Sequence, residues 1–209
     1  MALTTVRPQG MGFNTGRRNL IINGAMQVAQ RGTDINTLVN GSIGADRFKI
    51  NIANIDDLAM DYDQSTDVPS GSGFTNSLKY SVSSVEGAIA ADEYVSFGQR
   101  IEAQNLQHLK YGTSSGEKIT LSFHVKSSVT GTYAISIFQQ DASSSPDRRY
   151  HSKTYTISSA NTWEYKTITI DPNTDDAIAN DTGIGLRVDW VLSAGSNYTS
   201  GSNGTWGDI

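Results

Sequence analysis

Three histidines, one acidic loop and a scatter of aromatic rings are the side chains of this 209-residue chain that offer chemistry. His108, His124 and His151 do not fall in a metal-ligand spacing such as His-Glu-X-X-His. His124 lies on the polar side of an alternating segment and reads as an ordinary surface histidine. Serine is abundant, but no Gly-X-Ser-X-Gly elbow occurs, so a hydrolase of that type has no support. A P-loop and a Gly-X-Gly-X-X-Gly junction are both missing, which argues against nucleotide binding. Without cysteine there is no disulfide, thiol catalysis or Cys-based zinc site.

The acidic stretch Asp171-Pro-Asn-Thr-Asp-Asp176 places oxygen ligands at positions one, three and five of a loop. Position six is Asp176, where an EF-hand needs Gly, and position twelve is Thr182, where it needs a bidentate Glu. A solvated acidic turn is the better reading, and no metal or cofactor is expected. Asp56/Asp57 and Asp92/Glu93 would serve a glycosidase only if opposed across a groove. The expectation is therefore a protein without enzymatic activity.

Sugars present an apolar C–H face to an aromatic ring and hydroxyls to polar side chains. Trp163, Tyr165, Tyr155, Tyr150 and Trp206 are the rings to consider. Trp163 and Tyr165 are two apart, with Glu164 and Lys166 between and beyond them. That spacing on a strand predicts a core face for the pair. Tyr150 and Trp206 lie near predicted loops and are the candidate glycan contacts.

Period-two alternation supplies the elements that would carry these residues. Ile119, Leu121, Phe123 and Val125 share one face of Lys118 to Lys126. Tyr133, Ile135 and Ile137 repeat the pattern until Phe138 breaks it. Ile184, Leu186, Val188, Trp190 and Leu192 form the cleanest run, with Arg187 and Asp189 pointing outward. Further strands are predicted at Arg47 to Ile52, Leu58 to Tyr62, Leu78 to Ser83 and Tyr94 to Glu102. Ala103 to Lys110 predicts a short helical turn. Leu20 to Ile22 and Ala25 to Ala29 read as strands about an Asn23-Gly24 turn. Ser65 to Gly73, Ala142 to Pro146 and Ser193 to Gly204 read as loops, the last of them mobile or ordered only by a partner. One-sided burial suits antiparallel pairing, so the fold class is an all-β antiparallel β-sandwich, jelly-roll-like.

Composition agrees: 37% of residues are hydrophobic, 18% are charged, and the 20 glycines suit turns and short strands. A net charge of −5 without a Lys/Arg cluster argues against nucleic-acid binding. No segment approaches the ~20 apolar residues of a membrane helix, and no signal-peptide core opens the chain. A soluble protein made in a cytoplasm, without membrane insertion, is expected. Residues 1–18 are poor in core side chains and carry Arg7, Arg17 and Arg18.

Three of these stretches also resemble the opening of a group of bacteriophage virion proteins, the tail fibre and structural proteins of marine and cyanobacterial phages. They are Asn19-Leu-Ile-Ile-Asn-Gly24, Gln27-Val-Ala-Gln-Arg-Gly-Thr33 and Ala45-Asp-Arg-Phe48, with Phe48 where the family commonly has Trp. Tyr94 to Glu102 is similar to a strand of that family, whereas its C-terminal Val-Gln-Leu-Glu pattern is not found here. The resemblance implies a carbohydrate-binding-like jelly roll over 19–209, as part of a longer fibre protein, preceded by an extended docking arm over 1–18. It implies a virion structural role in a tail fibre, or alternatively a capsid decoration or head fibre. A host glycan-binding adhesin or depolymerase is the other alternative. Expected partners are further copies of the chain, as a homotrimer, other tail or capsid proteins met through Arg7, Arg17 and Arg18, and host surface polysaccharide.

Overall fold

The computed structural model describes residues 19–55, 57–84, 87–140, 149–199 and 203–208. The expected arm, with Arg7, Arg17 and Arg18, lies outside them, as do Asp56 and the loop Ala142 to Pro146.

Within the described residues the alternating segments become antiparallel strands, and the chain is an all-β sandwich. Its elements are β1 (Asp34–Ile35), β2 (Lys49–Ala53), β3 (Ala59–Ser65), β4 (Ser77–Ser84), β5 (Tyr94–Glu102) and β6 (Ile119–Val125). They continue with β7 (Gly131–Gln139), β8 (Arg149–Ile157), β9 (Glu164–Ile170), β10 (Ile184–Ala194) and β11 (Trp206–Asp208). One layer is a six-stranded sheet in the order β11-β8-β7-β10-β5-β2. Facing it are two smaller sheets, β1-β3-β4 and β6-β9. Tyr80 of β4 meets Phe97 of β5 at 5.0 Å between ring centroids. Phe123 of β6 meets Trp190 of β10 at 5.7 Å and Tyr155 of β8 at 5.2 Å. Leu186, Val188 and Trp190 are buried on the inner side of β10, as the alternation requires.

The second layer is interrupted. Both β4 and β6 pair on one side only, and they border a cleft of about 2280 Å³ floored by Phe97, Phe123, Val188 and Trp190. Asp67, in the β3–β4 loop, bridges one end of it. Its carboxylate pairs with Lys126 and accepts the Trp163 indole N–H at 2.9 Å.

The expected opening strands are not formed. Asn19 to Gly32 is turn and coil, because its backbone groups are bonded to side chains instead of to a neighbouring strand. The Gln99 side chain donates to the carbonyl of Ile22 (2.8 Å) and accepts its N–H (2.7 Å), standing in for a strand partner. Asn23 does turn the chain, at φ +57°, as does Met26 at +54°. Asn23 Nδ2 donates to the carbonyls of Val28 and Asp46, and its Oδ1 accepts the Val28 N–H. The Asp46 carboxylate accepts the Gln30 N–H, Arg47 pairs with Glu102 at 2.8 Å, and Phe48 is fully buried. The sequence stretches that carry the phage resemblance thus tie the first thirty described residues to the sandwich.

Two further expectations change. The tail is ordered where it is described: Ser196–Tyr198 forms a 3-10 turn, and β11 adds to the edge of β8. Tyr165 points out of the sandwich and is 60% exposed, whereas Glu164 and Lys166 turn inward as an ion pair at 2.6 Å. The reason is local: Glu164 caps the β8–β9 turn by accepting the N–H groups of Ser158 and Ser159. It agrees with the rest of the strand, whose Ile168 and Ile170 are buried on the same face as Glu164 and Lys166. Ala103–Leu109 is the expected short helix, of the 3-10 type.

Candidate functional site on the six-stranded sheet

Register places a set of unlike side chains on the outer face of the six-stranded sheet. Strand neighbours directly opposite one another share a face. Arg100 of β5 is opposite Arg187 of β10, Arg187 is opposite Phe138 of β7, and Phe138 is opposite Tyr150 of β8. Two guanidinium groups and two aromatic rings therefore form one row across four strands. The next row reads Lys49, Gly98, Asp189, Ser136, Ser152. Gly98, Ser136 and Ser152 are small, so the row forms a trough beside the Arg–aromatic ridge, filled at Gly98 by the Asp189 carboxylate.

The trough has a charged floor. Asp189 is fully buried although it points away from the core. Its Oδ2 lies 2.8 Å from Arg187 Nε, and Arg187 in turn covers the Phe138 ring at 4.1 Å. Burial pushes the Asp189 carboxyl above its ordinary range, against the pull of Arg187 and Arg100. Gly98 makes room for it, since a Cβ there would sit 2.2 Å from Asp189 Oδ1 and 2.1 Å from the Val188 carbonyl. Beside this, Asn51 Nδ2 donates to Ser96 Oγ (3.3 Å), and Ser96 donates to the Tyr94 hydroxyl (3.4 Å). The face combines aromatic surface, fixed donors and hydroxyls, the side-chain types that stack on and hydrogen-bond a sugar.

Tyr150 belongs to this ridge, and its ring lies against Gly207 of β11. Trp206 does not. It is opposite His151 and faces inward. Its indole N–H donates to the Asp171 carbonyl (2.8 Å) and its ring edges onto Tyr111 and His151. The two candidate glycan contacts are on opposite sides of the sheet. Sequence reasoning missed Phe138, Arg187, Arg100 and Asp189. The available signal was the break in alternation at Phe138, which puts an aromatic ring on an outward face.

Other candidate chemistry is absorbed by structure. Asp171 pairs with Lys118 at 2.6 Å, and Asp175 and Asp176 both pair with Arg149. Among the described residues no group of three or more His, Cys, Asp or Glu is placed to hold a metal. Glu93 caps the Ala90 N–H, and Asp92 accepts from Asn54. His151 is buried with neither ring nitrogen hydrogen-bonded among the described residues. Burial lowers its pKa. His124 stands between Phe74 and Tyr165 in an exposed aromatic group, but the rings meet at 74° and 51° and present no common plane. The cleft between β4 and β6 has an apolar floor and a polar rim that includes Asp67, Asn76, Lys79, His124 and Lys126.

No family model and no curated protein matches the chain. Among solved structures it is similar to the enzymatically active domain of bacteriophage CBA120 tailspike protein 4, with 18% identity and a TM-score of 0.45. The match covers 77% of this chain and 19% of that one, so the chain spans about a fifth of the tailspike domain's length. The expectation of a protein without enzymatic activity is corrected on this finding, because the similar structure is an enzymatically active domain. A likeness at this level assigns no reaction and no catalytic residue to the chain. No helix among the described residues is long and apolar enough to cross a membrane.

Proposed function

We propose that this chain is part of a bacteriophage tail-associated protein and binds bacterial surface polysaccharide through the outer face of its six-stranded sheet. The observation that carries the binding reading is the row Arg100, Arg187, Phe138, Tyr150 standing beside the small-residue trough. Aromatic faces take the C–H side of a pyranose, and guanidinium groups supply rigid paired donors to neighbouring oxygens. Ser136 and Ser152 are small enough to let a ring approach the backbone. The phage part of the reading is supported by the Asn19 to Phe48 stretches, which this fold uses to anchor its own N-terminal segment. Self-association as a homotrimer and docking through Arg7, Arg17 and Arg18 belong to the same proposal. Placement on the tail rather than the capsid also belongs to it.

The test is binding to bacterial capsule and lipopolysaccharide preparations, with reducing-end release measured alongside. Tyr150→Ala should lower affinity by about tenfold, roughly 1.4 kcal/mol, with an unchanged melting temperature. Phe138→Ala should do the same. Binding by both variants equal to the parent would remove this face from the function.

A further inference from the structure

We infer that the polysaccharide taken by this face is acidic, carrying carboxylate groups along its chain. The inference rests on the polysaccharide-binding reading and adds the class of ligand. Its basis is the local balance of charge. Lys49, Arg100 and Arg187 stand on the outer face in two adjacent rows, with Asp189 as the carboxylate among them. Asp189 is spent on Arg187, whose Nε it meets at 2.8 Å. Glu102, at the end of the same face, is paired with Arg47 at 2.8 Å. Among the described residues neither Lys49 nor Arg100 is in an ion pair within 4.0 Å. Among the described residues the face therefore carries a surplus of two positive charges on a chain whose net charge is −5. Such a reversal of sign attracts an anionic ligand to one place on the molecule.

The chemistry of the cations narrows the ligand further. A guanidinium binds a carboxylate through two parallel N–H···O bonds, and charge-assisted bonds of this kind are roughly twice as strong as neutral ones. Arg187 is pre-oriented for it. Asp189 holds its Nε from one side and Phe138 lies under the guanidinium, so its terminal amines are presented at a fixed angle. Arg100 lies opposite it on the neighbouring strand. Two arginines that start from neighbouring strands, whose backbones run roughly 4.8 Å apart, can converge on one carboxylate or on the carboxylate and ring oxygen of a single uronic acid. The aromatic end of the row, Phe138 and Tyr150, then takes the next sugar ring.

The experiment compares polygalacturonate with its fully methyl-esterified form, titrated into the full chain at low and at moderate salt. The esterified polymer keeps the sugar ring and removes the charge. The expected result is about tenfold tighter binding of the acid form, weakened by salt. Arg100→Ala with Lys49→Ala should erase that preference at unchanged melting temperature, whereas Lys79→Ala, on the other layer, should leave it intact. Equal affinity for the two polymers would overturn the acidic assignment while leaving the polysaccharide reading in place. Binding of neither polymer, nor of any preparation from bacterial surfaces, would overturn both. A preference that survives the double substitution would place the acidic site elsewhere.

Discussion

At the level of single residues, polar side chains here are spent on holding backbone. Asn23 is the clearest case. Its amide bonds to Val28 and Asp46 replace the strand pairing that the sequence pattern suggests. Asn23→Ala should cost about 1–3 kcal/mol of unfolding free energy, seen as a lowered denaturant midpoint with an unchanged slope. His151 gives a pH signature. Burial lowers its folded-state pKa below the ordinary 6.5, so the unfolded chain takes up the proton first as pH falls. Its contribution to stability is full above pH 6.5 and is lost as pH drops through that value toward the folded pKa. Melting temperature should therefore fall from pH 7.5 to 5.5, and His151→Phe should flatten that dependence. The bonds of Asp46 to Asn23 and Gln30 were hidden in the sequence because they span 23 and 16 positions. Tyr150 was legible as a possible sugar contact since it falls outside any apolar run. Trp206 was not, because nothing local shows that a ring near the chain's end folds back onto Tyr111 and His151.

At the scale of elements, β10 organises the molecule. It is the eleven-residue central strand that pairs with both β5 and β7. Its inner side carries Leu186, Val188 and Trp190 in the core, and its outer side carries Arg187 and Asp189 in the trough. Val188→Asp would bury an unpaired charge between the layers, at a cost of several kcal/mol. Insoluble protein is the expected outcome on expression. Gly98→Val tests the other face, where the Val188 carbonyl and the Asp189 carboxylate leave no room for a side chain. It should lower the melting temperature by more than 5 °C, whereas Ser152→Val in the same row should not. Alternation made β6, β7 and β10 readable, because their two faces meet different surroundings. In β9 the Trp163/Tyr165 pair misled, because Ile168 and Ile170 set the inner face and Tyr165 falls on the other one. Alternation could not supply register, so the gathering of Arg100, Arg187, Phe138 and Tyr150 from four strands was beyond reach. No short-range pattern links residues that lie up to 87 positions apart, as Arg100 and Arg187 do.

On the scale of the whole molecule, one continuous sheet stands opposite a divided layer. The divided side carries the apolar cleft, the Asp67 bridge and the exposed Tyr165. The continuous side carries cations, aromatic rings and hydroxyls on a surface fixed by β-sheet hydrogen bonding. Rigid elements hold binding groups better than loops do, which favours the continuous side as the ligand face. Such a face on a net-negative chain would attract an anionic polymer without a nucleic-acid-like basic surface. Mapping of backbone amide shifts by NMR during titration with polygalacturonate tests this most directly. Shifts should concentrate at Lys49, Arg100, Phe138, Tyr150 and Arg187, with β6 and β9 silent. Shifts confined to Phe74, His124 and Tyr165, or none at all, would contradict it.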